Sequence, residues 1–227
     1  MTFAAVLTTP RHIPRADAND IHALGAAQVG NVVEAIGRSG AMAHPIKAVT
    51  TANRFAGSAL TVNAGPRDNL APWAALRRAQ PGDVLVIATG GHVDHSVCGD
   101  LMMGMAKNAG IVAIVTDGAV RDLTGANMVG IPVFAAAVTP NSPQKNGPGS
   151  VGCPVVCGGV AVAAGDVVCG DEDGVVVIPA ARIGAARAGL VAIRAKEEAM
   201  EQDVAAGATA PGWLRDLSVD EIFTGVD

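Results

Sequence analysis

Two short segments contain residue types that can bind a carboxylic acid and a cation. Gly99-Asp100-Leu101-Met102 opens a predicted helix, where free N–H groups and the helix dipole attract a carboxylate. In Gly118-Ala119-Val120-Arg121-Asp122, Arg121 offers a planar donor fork for a carboxylate or an enolate oxygen. Asp122 offers a hard oxygen ligand for Mg²⁺. The alternative from the residues alone is that Asp100 only caps its helix and that Arg121 and Asp122 form a surface pair.

Alternating strands and helices must position these two segments. Strands are predicted at Val84–Ala88 and Ile111–Thr116, and a helix from about Gly99 to Asn108 lies between them. A turn is predicted at Asp117-Gly118, before Arg121. Because the strands are continuously apolar, they are typical of a parallel or mixed sheet covered by helices. Loops after adjacent parallel strands open at one edge, so we expect the two segments to meet there.

The remaining pattern predicts a single α/β catalytic domain over residues 1–206 and a C-terminal arm over residues 207–227. An irregular loop is predicted over residues 139–154, where Pro, Gly and Asn are frequent. The other predicted helices are Gln28–Ile36, Leu70–Ala79 and Ala181–Val204, and the other predicted strands are Phe55–Val62, Val133–Ala137, Val155–Cys157, Val160–Val162, Val167–Cys169 and Val175–Ile178.

Composition narrows the class of protein. The chain has 227 residues, half of them hydrophobic, which is enough for a substantial core. Its net charge of −5 argues against nucleic acid as a partner. The apolar runs are too short to span a bilayer, and no basic segment precedes the apolar start, so neither a membrane protein nor a signal peptide is expected. Four cysteines without a CxxC pair favour reduced, buried thiols and a cytoplasmic location.

Two other motifs and one lysine contain residue types that occur in binding sites. His92-Val93-Asp94-His95 could line a pocket and contact the far end of a substrate, lie on the surface, or bind a second metal as a hydrolase would. Asp171-Glu172-Asp173-Gly174 lacks the rest of a calcium loop and predicts an acidic β-turn. Lys145 could reach a substrate carboxylate from the rim of the site, or could simply be solvated.

Most of the chain, from about Gln28 to Glu198, resembles one enzyme family. The stretches RFAGSALTVNAGPRDNLAPWAALRRAQPGDVLVIATGG, GDLMMGMAKNAGIVAIVTDGAVRDL and GSVGCPVVCGGVAVAAGDVVCGDEDGVVVIP are similar to class II 4-hydroxy-4-methyl-2-oxoglutarate / 4-carboxy-4-hydroxy-2-oxoadipate aldolases. That family shares its fold with the regulator of ribonuclease activity A. The GDL and GAVRD motifs, at matching separation, are the most specific part of the resemblance.

The resemblance implies a swivelling β/β/α domain that forms a homotrimer or homohexamer with active sites between subunits. It implies that the carboxylate of pyruvate meets the backbone amides of Gly99, Leu101 and Met102, with Arg121 nearby. The metal site that it implies has Asp122 as the direct ligand of Mg²⁺ or Mn²⁺, while Asp100 and a glutamate of the neighbouring subunit, Glu197 or in its place Glu198, hold the metal's waters.

The implied reaction is cleavage of a 4-hydroxy-2-oxo di- or tricarboxylic acid to pyruvate and a second oxo-acid. A cation and Arg121 would stabilise the pyruvate enolate, and a water oriented by Asp100 would take the hydroxyl proton. Oxaloacetate decarboxylation passes through the same enolate, and a role in the breakdown of aromatic compounds is implied by the resemblance alone. The alternative is a non-catalytic, protein-binding regulator of the ribonuclease regulator A type. Those regulators lack the acidic equivalent of Asp122, so this chain favours the enzyme.

Overall fold

The computed structural model describes residues 7–218, in which ten strands form one sheet and two form another. The strands are β1 (Leu7–Thr8), β2 (Lys47–Ala48), β3 (Phe55–Asn63), β4 (Asp83–Ala88), β5 (Ser96–Cys98), β6 (Ala113–Val120), β7 (Val133–Val138), β8 (Gly149–Val151), β9 (Val155–Cys157), β10 (Val160–Val162), β11 (Val167–Asp171) and β12 (Gly174–Ile178). The helices are α1 (Ala18–Gly25), α2 (Val29–Ala35), α3 (Leu70–Ala75), α4 (Asp100–Asn108), α5 (Leu123–Val129) and α6 (Ile183–Ala205), with 3₁₀ turns at Ala180–Arg182 and Gly212–Asp216.

Parallel strands form the centre of the large sheet, whose order is β1-β8-β3-β4-β6-β7-β2. β3, β4, β6 and β7 pair in parallel, and the short β5 pairs in parallel with β6. β11 joins β3 in the antiparallel sense and forms a hairpin with β12. The parallel pairing explains the continuous apolar runs, because these strands are covered on both faces.

Alternate residues of β4 pack into two different hydrophobic clusters. Leu85 and Ile87 belong to a cluster shared with buried residues of α3, α4 and α5. Val84 and Val86 belong to a second cluster, which includes residues of β9 and β10. All four side chains are fully buried, as the period of two along a strand predicts for a sheet covered on both sides. The helix that begins at the GDL motif and the helix that follows the GAVRD motif therefore cover one face of the sheet.

A third cluster joins α1, α2 and the beginning of α6 to the β11–β12 hairpin. The turn of this hairpin is the acidic motif at residues 171–174, which confirms the predicted β-turn. The Asp171 carboxylate accepts hydrogen bonds from the N–H of Asp173, at 3.0 Å, and from the N–H of Val29 at the start of α2, at 2.8 Å. Asp171 therefore has a structural role.

Several predicted elements are confirmed, and four details of the prediction are wrong. The Asp117-Gly118 turn does not form: both residues continue β6, whose pairing with β7 shifts register between Thr116 and Ala119. The helix from Leu70 ends at Ala75, because the following residues form shorter-range turn hydrogen bonds before Pro81. The loop over residues 139–154 contains β8, which pairs with β1 and β3. The prediction omitted α1, although the Asp17 side chain caps it by accepting from the N–H of Asn19.

The described residues up to Leu190 form one compact unit, and those from Val191 onward form a second. The expected division into residues 1–206 and 207–227 stays a prediction, and the part of that arm beyond residue 218 lies outside the described residues. None of the helices in residues 7–218 combines the length and the apolar character needed to cross a bilayer.

A buried ion pair attaches the N-terminal segment to the start of β4. The Arg15 guanidinium donates to both carboxylate oxygens of Asp83, at 2.5 and 2.8 Å, and Asp83 is 1% exposed. The same carboxylate accepts from the N–H of Gln80 at 2.8 Å. Because a buried carboxylate without its partner is costly, this pair should contribute strongly to the stability of the edge where β4 begins.

We expect Arg15→Ala to lower the free energy of unfolding by about 3–5 kcal/mol, since it leaves the Asp83 carboxylate buried without its cation. The measurement is urea denaturation followed by circular dichroism. Arg11→Ala is the matched control, because Arg11 is an exposed arginine of the same segment. It should change stability by at most about 0.5 kcal/mol. Equal losses in the two variants would contradict the structural role of the ion pair.

Candidate functional site

The ends of β5 and β6 bring the two motifs together, as predicted. The two strands run in parallel, and the N–H of Arg121 donates to the carbonyl of Cys98 at 3.1 Å. Gly99 and Asp122 are the next residues of the two segments. The GDL and GAVRD motifs therefore meet at the carboxyl edge of the sheet, where α/β proteins usually bind ligands.

Asp122 packs closely against Gly99. A Cβ atom at position 99 would lie 2.2 Å from Oδ2 of Asp122, so only glycine permits this contact. Asp122 itself has φ 61° and ψ 44°, in the left-handed region that few residues other than glycine adopt, although aspartate tolerates it better than most. Strained backbone of this kind clusters at functional sites.

The Arg121 guanidinium is held between two oxygen atoms. Its Nε donates to Oδ2 of Asp122 at 3.1 Å, and one terminal nitrogen donates to Oγ of Ser142 at 2.6 Å. The side chains of Arg121 and Asp122 are 37% and 42% exposed, so both remain accessible to a ligand. Two hydrogen bonds leave three of the five guanidinium N–H donors for other contacts.

The first turn of α4 supplies the N–H groups expected to bind a carboxylate. The N–H of Met103 donates the first hydrogen bond of the helix, to the carbonyl of Gly99. The N–H groups of residues 100–102 therefore have no acceptor within the helix backbone. The Leu101 N–H donates to Oδ1 of Asp100 at 2.7 Å. The Met102 side chain is buried in the core, so only its backbone can face a ligand. Oδ2 of Asp100 lies against α5, 2.1 Å from where a Cβ on Gly125 would be.

These residues line a cavity of about 200 Å³, which suits a small acid better than a drug-sized ligand. The predicted site residues in its lining are Gly99, Asp100, Leu101, Met102, Arg121 and Asp122. His92 and His95 are not part of the lining, and Glu197 and Glu198 are exposed residues of α6 in the second compact unit. The roles of these last four residues stay predictions.

The His92-Asp94-His95 loop borders a different cavity, to which Val93 and Asp117 contribute. Nε2 of His92 lies 3.0 Å from Nδ1 of His95, so the two rings share a hydrogen bond. The Asp117 carboxylate anchors the loop by accepting from the N–H groups of Thr89 and Gly91, at 2.7 and 3.1 Å. This tertiary contact explains why Asp117 continues the strand and does not form a turn.

The carboxylates of Asp100 and Asp122 are suited to a hard divalent cation. Over residues 7–218, no group of three or more His, Cys, Asp and Glu side chains is arranged to hold a metal ion. Mg²⁺, however, takes one or two carboxylates and completes its shell with water and substrate. The Asp122 carboxylate fills the space that the absent Cβ of Gly99 leaves and is 42% exposed, so its chemistry suits a direct ligand of such an ion. The expected role of Asp100 in holding the ion's waters stays a prediction.

A second wall of the cavity comes from α3 and the segment after β7, and includes Asn69, Trp73 and Lys145. The Asp68 carboxylate joins these two elements. It accepts from the N–H of Leu70 at 2.8 Å, and from the N–H groups of Asn146 and Gly147 at 2.6 and 3.1 Å. Of these wall residues, the sequence predicted only Lys145, because nothing in the local pattern of α3 distinguishes a ligand contact from core packing.

Cys98 also lines the cavity, but its thiol is not a nucleophile. Burial, and secondarily the negative charge of Asp122, raises the pKa of Cys98 to about 12. Cys157 and Cys169 are likewise buried, and burial raises the pKa of Cys169 to about 12. The four cysteines are all free, as predicted, but the expectation that all four are buried is wrong for Cys153, which is partly exposed.

At pH 8 we expect iodoacetamide to label Cys153 in the native protein, because it is partly exposed. The buried thiols of Cys98, Cys157 and Cys169 should be labelled only after unfolding. Mass spectrometry measures the labelling of each residue. Because folding raises the Cys98 and Cys169 pKa values above the usual 9.0, the stability that these thiols contribute is present below pH 9 and is lost as the pH rises towards 12. Labelling of Cys98 at the rate of Cys153 would contradict this environment.

We expect Gly99→Ala to displace the Asp122 carboxylate and lower stability, since the new Cβ would overlap with Oδ2. Gly104→Ala in the same helix is the matched control. Its Cβ would have its nearest contact at 3.8 Å, and alanine should stabilise the helix by up to about 1 kcal/mol. Thermal denaturation should show shifts of opposite sign, and crystal structures should show Asp122 moved only in Gly99→Ala. An unmoved Asp122 would refute the close contact.

The known proteins that resemble this chain include one with an enzyme name and two solved structures. A Halalkalibacterium halodurans protein, provisionally named 4-hydroxy-4-methyl-2-oxoglutarate aldolase, is 40% identical over 134 residues, which are 59% of this chain. The chain spans 64% of that relative's length. The Streptomyces coelicolor RraAS2 structure, described as an unusual member of the RNase ES inhibitor RraA family, has a TM-score of 0.73 and 27% identity, covering 83% of this chain and 99% of its own. The structure of the Thermus thermophilus RNA-processing inhibitor RraA has a TM-score of 0.63 and is 29% identical. This match covers 67% of this chain and 93% of the Thermus chain.

These similarities confirm the predicted fold class, a mixed α/β domain with the RraA fold. The model of the Aldolase/RraA family matches residues 26–177, a segment that contains both loops of the candidate site and both strands that carry them. The chain belongs to the RraA-like family, Aldolase/RraA.

Proposed function

We propose that the chain is a divalent-metal-dependent aldolase that cleaves a 4-hydroxy-2-oxo di- or tricarboxylic acid to pyruvate and a second oxo-acid. The observation that carries the proposal is the Arg121–Asp122 pair, packed against Gly99 at the start of α4 in a cavity of about 200 Å³. The name of the Halalkalibacterium relative supports a lyase and suggests 4-hydroxy-4-methyl-2-oxoglutarate as a substrate. The resemblance of the GDL and GAVRD motifs adds 4-carboxy-4-hydroxy-2-oxoadipate as an alternative of the same type.

Charge determines what each residue would do. Cleavage of the C3–C4 bond leaves its electron pair on the pyruvyl half as an enolate, with negative charge on the C2 oxygen. Arg121 can donate N–H groups to that oxygen, and the first turn of α4 can bind the carboxylate at C1. Mg²⁺ or Mn²⁺, held by Asp122, would supply further positive charge next to the same oxygens.

The proton of the C4 hydroxyl must leave as the bond breaks. We propose that a water held by Asp100 takes it, so that the C4 oxygen becomes the carbonyl of the second oxo-acid while a proton returned to C3 completes pyruvate. Glu197, or Glu198 in its place, would come from the neighbouring subunit of a homotrimer or homohexamer and assist Asp100. Oxaloacetate would lose CO₂ from C4 and leave the same enolate, which makes its decarboxylation an expected side activity.

The second candidate function is a non-catalytic, protein-binding regulator. The similarity to the Thermus RNA-processing inhibitor RraA favours it, because the fold is shared. The residues favour the enzyme, since a protein-binding surface does not need the accessible Arg121–Asp122 pair at the mouth of a small cavity.

Pyruvate release, coupled to lactate dehydrogenase, tests the proposal with 4-hydroxy-4-methyl-2-oxoglutarate, 4-carboxy-4-hydroxy-2-oxoadipate and oxaloacetate. We expect turnover with Mg²⁺, none with EDTA, and a loss of at least about 100-fold in Asp122→Ala, the scale of a lost oxyanion interaction. Asp94→Ala removes an exposed carboxylate outside the cavity and should retain activity. No turnover by folded, Mg²⁺-loaded protein would favour the regulator, and binding to protein partners would be measured next.

A further inference from the structure

Two buried polar atoms without a partner lie on the second wall of the cavity. They are Oδ1 of Asn69 and Nε1 of Trp73, and within residues 7–218 they are the only buried side-chain nitrogen or oxygen atoms that lack a hydrogen bond. Asn69 is 5% exposed, and both residues line the cavity that contains Arg121. Because buried polar groups are nearly always paired, a bound ligand or an ordered water must supply these partners, and the position of both residues on the cavity favours a ligand.

The two atoms have complementary chemistry. The Nδ2 of Asn69 donates to the carbonyl of Val97 at 3.0 Å, which fixes the amide so that its oxygen is the group left to accept. Trp73 is one helical turn further along, on the same face of α3, and its indole N–H can only donate. A hydroxyl group satisfies both, since it donates one hydrogen bond and accepts others.

Lys145 adds a positive charge to this wall. Its neighbours Gln144 and Asn146 are both fixed: the Gln144 carbonyl accepts from the N–H of Asn69 at 3.0 Å, and the N–H of Asn146 donates to Asp68. None of the described carboxylates lies within 4.0 Å of the Lys145 ammonium. A carboxylate on the ligand would supply the missing counter-charge.

We propose that Asn69, Trp73 and Lys145 bind the second half of the substrate, a carbon that carries both a hydroxyl and a carboxylate. This inference rests on the proposed aldolase function and names the residues that select its substrate. In the bound acid, the C4 hydroxyl donates its hydrogen bond to Oδ1 of Asn69. For cleavage, the hydroxyl rotates so that it donates to the water held by Asp100, and this water accepts the proton. The Trp73 N–H stays on the C4 oxygen and stabilises the negative charge that develops there.

The two reactions of the site respond differently to this wall. In aldol cleavage the C4 oxygen loses its proton and bears transient negative charge before the electron pair passes to the pyruvyl half, so a donor to that oxygen accelerates the reaction relative to the neutral hydroxyl of the bound acid. Decarboxylation of oxaloacetate removes negative charge from C4, so the same donor gives it no advantage. The ratio of the two kcat/KM values therefore reports on Trp73 separately from the chemistry at the pyruvyl end.

We expect Trp73→Phe, which keeps an aromatic ring but removes the N–H, to lower kcat/KM for 4-hydroxy-4-methyl-2-oxoglutarate by about 10- to 100-fold, and that for oxaloacetate by less than about twofold. Lys145→Met should mainly raise KM, because the carboxylate is bound equally before and during cleavage. Trp213→Phe makes the same change at the other tryptophan of the chain, outside this cavity, and should leave the ratio unchanged. Equal losses for both substrates in Trp73→Phe, or no loss in either, would overturn the proposal.

Fluorescence provides a test that needs no turnover. In the Trp213→Phe protein, Trp73 is the only tryptophan, so its emission reports on this wall. Citramalate, whose second carbon carries a hydroxyl, a methyl and a carboxylate, should change this emission at a concentration at least about 10-fold lower than methylsuccinate, which lacks the hydroxyl. Equal responses would overturn the proposed wall. A selective response from protein that cleaves none of the oxo-acids would support the wall and refute the proposed reaction.

Discussion

The contact between the Asp122 carboxylate and the Cα of Gly99 is the constraint on which the site depends. It is possible because position 99 has no side chain and because Asp122 adopts the left-handed conformation. The hydrogen bond from the N–H of Arg121 to the carbonyl of Cys98 holds the two backbones at this separation. This contact places the Asp122 carboxylate at the start of α4, beside Asp100, and fixes the oxygen to which the Arg121 guanidinium donates.

The side of the cavity that contains Arg121 and Asp122 could be predicted from the sequence because its signals are local. A strand followed by glycine and a helix start, and a second strand followed by Arg121 and Asp122, needed only parallel pairing to meet. The turn predicted at Asp117-Gly118 was wrong because the conformation of these residues depends on contacts distant in the sequence. Asp-Gly favours a turn in isolation, whereas here the Asp117 carboxylate binds a loop 26 to 28 residues earlier in the chain, and pairing with the neighbouring strands outweighs the local preference.

The second wall could not be predicted, because its chemical character arises only in the folded chain. Asn69 and Trp73 belong to a short helix whose pattern is that of ordinary core packing. Their significance comes from burial without a partner, which depends on β5 and on the segment that contains Lys145. The His92–His95 motif shows the reverse situation: it attracts attention in the sequence, but its rings hydrogen-bond to each other beside another cavity.

The Asp68 carboxylate ties α3 to residues 146–147, and the Asp122 carboxylate packs against Gly99 at the start of α4. The cavity is thus assembled from two parts, each held by its own carboxylate, and hydrogen bonds from Asn69 to Val97 and from Arg121 to Ser142 join them. Evolution can alter the residues of one part while the carboxylate that holds the other is kept, so ligand selection can change without loss of the Arg121–Asp122 pair, and that pair can change without loss of the fold. Such modularity offers a physical reason why one family includes proteins named for such different activities.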